Sequence, residues 1–96
     1  MAYAVVHFFP GGTKENYEAS IAAVHPGRDK LPDGQVFHAA GASEGGWTVV
    51  AVHESKASWE QFRDGVLMPK MKQGVPGGFE NPPQETVFEV YNMQSA

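Results

Sequence analysis

The sequence predicts one α+β domain over residues 1–96, with elements in the order β-α-β-β-α-β. Three observations carry this prediction. Four short runs are rich in β-branched and aromatic residues, two segments place apolar residues at helical spacing, and Gly- or Pro-based turn signals separate them. A chain of 96 residues suffices for one domain and is too short for two.

Ala2–Pro10 (AYAVVHFFP) reads as the first strand and stops at Pro-Gly-Gly. Thr13 is placed to cap the helix that follows, where Tyr17, Ile21 and Val24 recur at i, i+4, i+7. His25-Pro26-Gly27 ends it, and the polar stretch Gly27–Gly34 closes on the turn signal Pro32-Asp33-Gly34. Gln35–Ala42 and Trp47–Glu54 are strands two and three, joined by the hairpin turn Ser43-Glu44-Gly45-Gly46. Ser55 is the cap of a second helix marked by Trp59, Phe62 and Val66, which Pro69 kinks or ends; Met68–Gln73 can add one more turn. The loop Gly74–Glu85 leads to strand four, Thr86–Met93.

This order is the ferredoxin-like split unit: a four-stranded antiparallel sheet with two helices on one face. Strand four lies beside one, one beside three, and three beside two. A turn centred on Glu44–Gly45 sets His38 opposite Ala51 and diagonal to His53.

Strand parity sorts side chains onto two faces. Ala4, Val6, Phe8, Phe37, Val50, Val52, Phe88 and Val90 form a purely apolar set, expected beneath the helices. The other set mixes apolar groups with His7, His38, His53, Glu89 and Tyr91, the composition of a ligand-pocket lining. Its Tyr3, Val5, Phe9, Val36, Val49 and Val87 are expected to form an apolar patch that a second subunit covers.

Composition narrows the partners. Seven basic against eleven acidic residues give a net charge of −4, and no stretch clusters Lys and Arg, so nucleic acid and anionic membrane surfaces are not expected partners. Cysteine is absent, which excludes disulfides and thiol chemistry and fits a reducing, cytoplasmic setting. Apolar runs are too short for a membrane span, and the N-terminus carries no basic region followed by an apolar stretch, so no signal peptide is expected.

The element order, the strand pattern and the segment GQVFHAAGASEGGWTVVAVHESKASWEQF resemble the dimeric α/β-barrel superfamily, and within it the small stand-alone proteins related to antibiotic-biosynthesis monooxygenases. The resemblance implies a homodimer in which two sheets face each other as a barrel, each subunit keeping a pocket between sheet and helices or loops. It also implies a class of activities: cofactor-independent oxygenases, haem-degrading enzymes and polyketide cyclases. The haem-degrading relatives use an Asn on strand one, a Trp on the second helix and a following His. This chain has His7, Trp59 and Pro69 there, so the axial ligand is missing and no cofactor is expected. Cyclase-like relatives use a strand-one His as proton acceptor, a role His7 matches.

The expected function is therefore a monooxygenase-like or other proton-abstracting enzyme, without a cofactor, acting on a small apolar, aromatic or polyketide-like molecule. His7 and His38 are the candidate bases, because imidazole accepts protons near neutral pH. His53, Glu89 and Tyr91 would orient base or substrate, Glu89 reaching His7 from the neighbouring strand. Trp47 and Phe79 would line the site, Phe79 as the large apolar side chain of a loop placed to cover it. The alternatives are a non-catalytic ligand-binding or stress-associated dimer and a purely structural dimer. Three His and a Glu also suit zinc, iron or nickel, but they come from separate strands without a chelating i, i+2 or i, i+4 pair, so no metal is expected. Trp59 with Phe62 reads as core, and Gly41-Ala42-Ser43-Glu44-Gly45 matches GxSxG by chance, since it lies in a hairpin and not at a strand-to-helix elbow.

Overall fold

The computed structural model describes residues 1–27 and 30–95; positions 28 and 29, within the polar stretch between helix one and strand two, lie outside the described residues. The elements are β1 (Tyr3–Pro10), α1 (Lys14–Val24), β2 (Gln35–Ser43), β3 (Gly46–His53), α2 (Lys56–Phe62), a π-helical turn (Arg63–Leu67), α3 (Met68–Gln73) and β4 (Gln84–Glu89). The sheet is antiparallel in the order β2-β3-β1-β4. This is the ferredoxin-like α+β fold.

The caps follow from local chemistry. Thr13 Oγ1 accepts from the Asn16 N–H while Asn16 Oδ1 accepts from the Thr13 N–H, both at 3.1 Å, which satisfies two orphan donors at the start of α1. Ser55 Oγ accepts from the Ser58 N–H at 3.0 Å and caps α2. Pro32-Asp33-Gly34 closes as a turn, Gln35 N–H donating to Pro32 O, with Gly34 at φ +82.

Three differences from the sequence reading have physical causes. The helices cover the mixed face of the sheet, not the purely apolar one: Tyr3 and Val5 pack with Trp59 and Phe62, joined by Val24 and Leu67. Tyr3, Val5, Phe9 and Val49 therefore belong to the covered side. Parity separates the two sets but does not say which one faces the helices. That depends on which β1 residues direct their backbone groups to β3 and which to β4, a phase set only on pairing.

The second difference is in the helix. The Met68 N–H bonds to Arg63 O, five residues back. This wide turn delays the apolar stripe by one residue, so Leu67 replaces Val66 against the core and Val66 is exposed. The chain then continues past Pro69, which occupies the first turn of α3, where a missing N–H costs little.

The third is β4, which runs from Gln84 to Glu89 and not to Met93. Tyr3 pairs with Glu89, and the Val90 N–H reaches Ala2 O. Beyond that, β1 offers almost no backbone to pair with. At the other end, Phe8 and His7 recruit Gln84 and Glu85 into the ladder.

The hairpin has the expected register, His38 opposite Ala51. It then breaks: Gln35 pairs with His53 and Phe37 with Val52, leaving Val36 as the extra residue of a bulge. Gln35 and His38 are three apart and would alternate to opposite faces, but the bulge turns both to the helix side.

Gly46, at the start of β3, packs against backbone. A Cβ there would collide with Phe9 O and crowd the Gly11 N–H. Gly46→Ala is expected to lower stability by ~2 kcal/mol or more. Gly65 is exposed and helical, and an added Cβ meets nothing within 4 Å. Gly65→Ala should be neutral or stabilising by up to ~1 kcal/mol. Urea denaturation of the two variants checks both signs.

Candidate functional site

Between the covered sheet face and the helices lies a cavity of about 80 Å³, several times the ~10–15 Å³ one water requires. Val5, Val49 and Ala51 form its sheet floor, and Ile21 and Val24 of α1 one wall. Trp59, Phe62, Leu67 and Met71 form the other. Phe9 and Phe79 stack at 3.7 Å with their rings 9° from parallel, at one edge.

Phe79 is held there by its loop. Asn16 Nδ2 donates to Gly77 O and Gly78 O, each at 3.1 Å, and the Phe79 N–H donates to Ser20 Oγ at 3.4 Å. Asn16, which completes the capping box of α1 with Thr13, thus also fastens the long loop over the cavity.

Polar groups enter from two ends. At the first, His7 lies on β1 opposite Glu85 of β4, and His7 Nε2 is 2.8 Å from Glu85 Oε2. A carboxylate only accepts, so Nε2 donates, and in the neutral ring the lone pair lies on Nδ1. Nδ1 has no hydrogen-bond partner among the described residues. His7 also packs against Trp59, ring centroids 5.9 Å apart.

At the second end a chain of hydrogen bonds runs from the cavity lining into the core. Tyr17 Oη is 2.6 Å from His38 Nε2, and His38 Nδ1 is 3.1 Å from Gln35 Oε1. Gln35 Nε2 is 3.2 Å from His53 Nε2, and His53 Nδ1 is 3.4 Å from Ser58 Oγ. With Gln35 Oε1 turned to His38 and Nε2 to His53, the roles follow: the oxygen accepts, so His38 carries its proton on Nδ1 and Tyr17 donates to Nε2; the nitrogen donates, so His53 accepts on Nε2 and donates from Nδ1. Burial pushes the His38 imidazole down to about 4, with the neighbouring His25 ring adding to the effect. Burial also lowers His53, opposed by Glu54, and lowers His25, opposed by a backbone hydrogen bond at Lys30. Tyr17 is raised by burial and then by Glu18.

The residues singled out from sequence are thus distributed unevenly. His7, His38 and Phe79 line the cavity. His38 has both nitrogens engaged, which leaves no lone pair for a substrate proton. His53 is 0% exposed and sits behind the wall as a link in the chain. Trp47 lies beside Tyr17, ring centroids 5.4 Å apart, with its Nε1 buried and unpartnered among the described residues. Glu89 is exposed and pairs with Tyr3, at the wrong end of β1 to orient His7; Glu85, four residues earlier, holds that position. Tyr91, 98% exposed past the end of β4, is remote from the cavity. Gln35, Glu85 and Ser58 were not legible as site residues. Tyr17 was legible only as part of an apolar stripe, and His25 only as a helix stop. The GxSxG serine bonds Thr48 Oγ1 at 2.6 Å within the hairpin. Among the described residues no group of three or more His, Cys, Asp or Glu converges as a metal site would require.

The fold and cavity define a ferredoxin-like domain with a partly open, mostly apolar pocket between sheet and helices. Among solved structures, that of Rv0793 from Mycobacterium tuberculosis superposes with a TM-score of 0.71 over 99% of this chain and 100% of its own, at 17% identity. That likeness shows the fold. No protein-family profile matches the chain, and neither does a curated protein.

The lowered imidazoles make stability pH-dependent. A His with a native value of about 4 binds fewer protons in the folded than in the unfolded state, where it titrates near 6.5. Its contribution is full above 6.5 and is lost as pH falls toward 4. His25 and His53 act in the same direction. The urea midpoint should therefore drop as pH is lowered through this window, and His38→Gln should flatten the drop while leaving a residual slope.

Proposed function

We propose that the chain is a cofactor-independent, monooxygenase-like enzyme that removes a proton from a small aromatic or polyketide-like molecule held between sheet and helices. The observation that carries this reading is the His7–Glu85 pair, whose imidazole lines the cavity among mostly apolar side chains. Glu85 fixes the tautomer and would stabilise the imidazolium, while His7 Nδ1 is the unengaged base. The Phe9–Phe79 stack and Trp59 favour a flat, aromatic substrate. Deprotonation of a phenol or an activated carbon leaves an electron-rich anion able to pass an electron to O₂ directly, so molecular oxygen would be the co-reactant.

Oxygen uptake with a panel of hydroquinones and polycyclic phenols tests the reading. His7→Gln is expected to lower the rate by ~10²-fold or more, the usual contribution of a positioned base. Glu85→Gln should lower it by less. Binding without oxygen uptake would make the chain a non-catalytic ligand-binding protein instead.

The assembly belongs to the same proposal. The uncovered sheet face carries Phe37 and Phe88, 49% and 50% exposed, around half-buried Val6, Phe8 and Val50. This is the face opposite the one selected from sequence, and it is the apolar surface a second copy would cover to complete a barrel. Light scattering at micromolar concentration should give about twice the 10.4 kDa chain mass. Phe37→Glu combined with Phe88→Glu should give the mass of one chain; a wild-type species of one chain's mass would sink the dimer.

A further inference from the structure

Tyr17, His38 and Gln35 all line the cavity at the end away from Glu85, and their hydrogen bonds run in one direction. The direction originates at Gln35. Imidazole and hydroxyl groups can each donate or accept, so a chain made only of them could run either way. A carboxamide in a given orientation cannot: its oxygen accepts and its nitrogen donates, and here Gln35 turns Oε1 to His38 and Nε2 to His53. Gln35 therefore commits His38 to one tautomer, and His38 commits the Tyr17 hydroxyl proton. The Tyr17 oxygen keeps a lone pair and has no other partner among the described residues.

We infer that Gln35 is a positioning residue that locks the Tyr17–His38 pair with Tyr17 donating, so that this end of the cavity accepts a hydrogen bond and its ligand presents a hydroxyl or N–H group there. The inference rests on the proposed function only in taking the cavity to be a ligand site. It adds that the site distinguishes hydroxylated aromatics from the corresponding ethers. Ser20 also lines the cavity and keeps a hydroxyl proton, so the donor preference is assigned to Tyr17 by substitution and not by cavity-wide polarity.

The test uses the intact chain with phenol and anisole as probes, the ether differing by a methyl that removes the donor. Wild-type protein is expected to bind phenol about tenfold more tightly than anisole, the effect of one net hydrogen bond. Tyr17→Phe should abolish the preference, leaving phenol and anisole bound equally. Gln35→Met should reduce it, because His38 is then free to exchange tautomers. Long-range ¹⁵N–¹H spectra of the unliganded protein give a readout independent of any ligand: His38 and His53 should both carry the proton on Nδ1. An Nε2–H tautomer at His38 overturns the inference. So does equal binding of phenol and anisole, or a preference that survives Tyr17→Phe, and in those cases the cavity remains a ligand site. Failure of both probes to bind overturns the proposed function and the donor preference together. Should Gln35→Met not fold, the wild-type tautomers and Tyr17→Phe decide alone.

Discussion

The structure depends on one constraint: the Tyr3–Val5–His7–Phe9 side of β1 is the side the helices cover. β1 is one of the two inner strands of the sheet, so its phase sets the phase of β3 and β4 through the ladder. Tyr3 and Val5 supply the apolar burial, on the order of 1.5–3 kcal/mol for each large side chain. His7 and Phe9, further along the same side, are carried into the space beneath the helices without being fully packed.

The polar groups within that space are handled differently at its two ends. At the His7 end, the partner carboxylate comes from the edge strand and is partly exposed, which leaves one imidazole nitrogen unengaged. At the His38 end, every imidazole nitrogen of His38 and His53 has a partner inside the protein, and burial disfavours the charged form of both rings. A buried amide that satisfies two imidazoles at once avoids the desolvation cost that either ring would carry alone. The price in backbone regularity is one bulged residue, Val36, which is exposed.

Two local irregularities extend this economy to the walls. The π-helical turn after Phe62 rotates Leu67 and Met71 toward the cavity and carries the chain past Pro69 without a missing bond in a regular helix. Asn16 serves both the α1 cap and the loop carrying Phe79, coupling the start of a helix to the cover of the cavity. Gly77, at φ +77, permits the turn that brings both carbonyls within its reach.

The sequence by itself determined the element order, the antiparallel neighbours, both helix caps and the hairpin register, because each rests on local chemistry or on the period-two and 3.6-residue patterns. It also separated the two sets of residues on β1 and β3, but not at Val36, which the bulge takes out of alternation, nor at Tyr91, which lies past the end of β4. Tertiary structure alone decided which set faces the helices, since that follows from the backbone pairing phase of β1 and not from hydrophobicity. It decided that Glu85 and not Glu89 meets His7, because the β1–β4 register sets which carboxylate lies opposite. It also brought Gln35 to His38 and His53, because a bulge breaks the alternation on which any reading of strand parity depends.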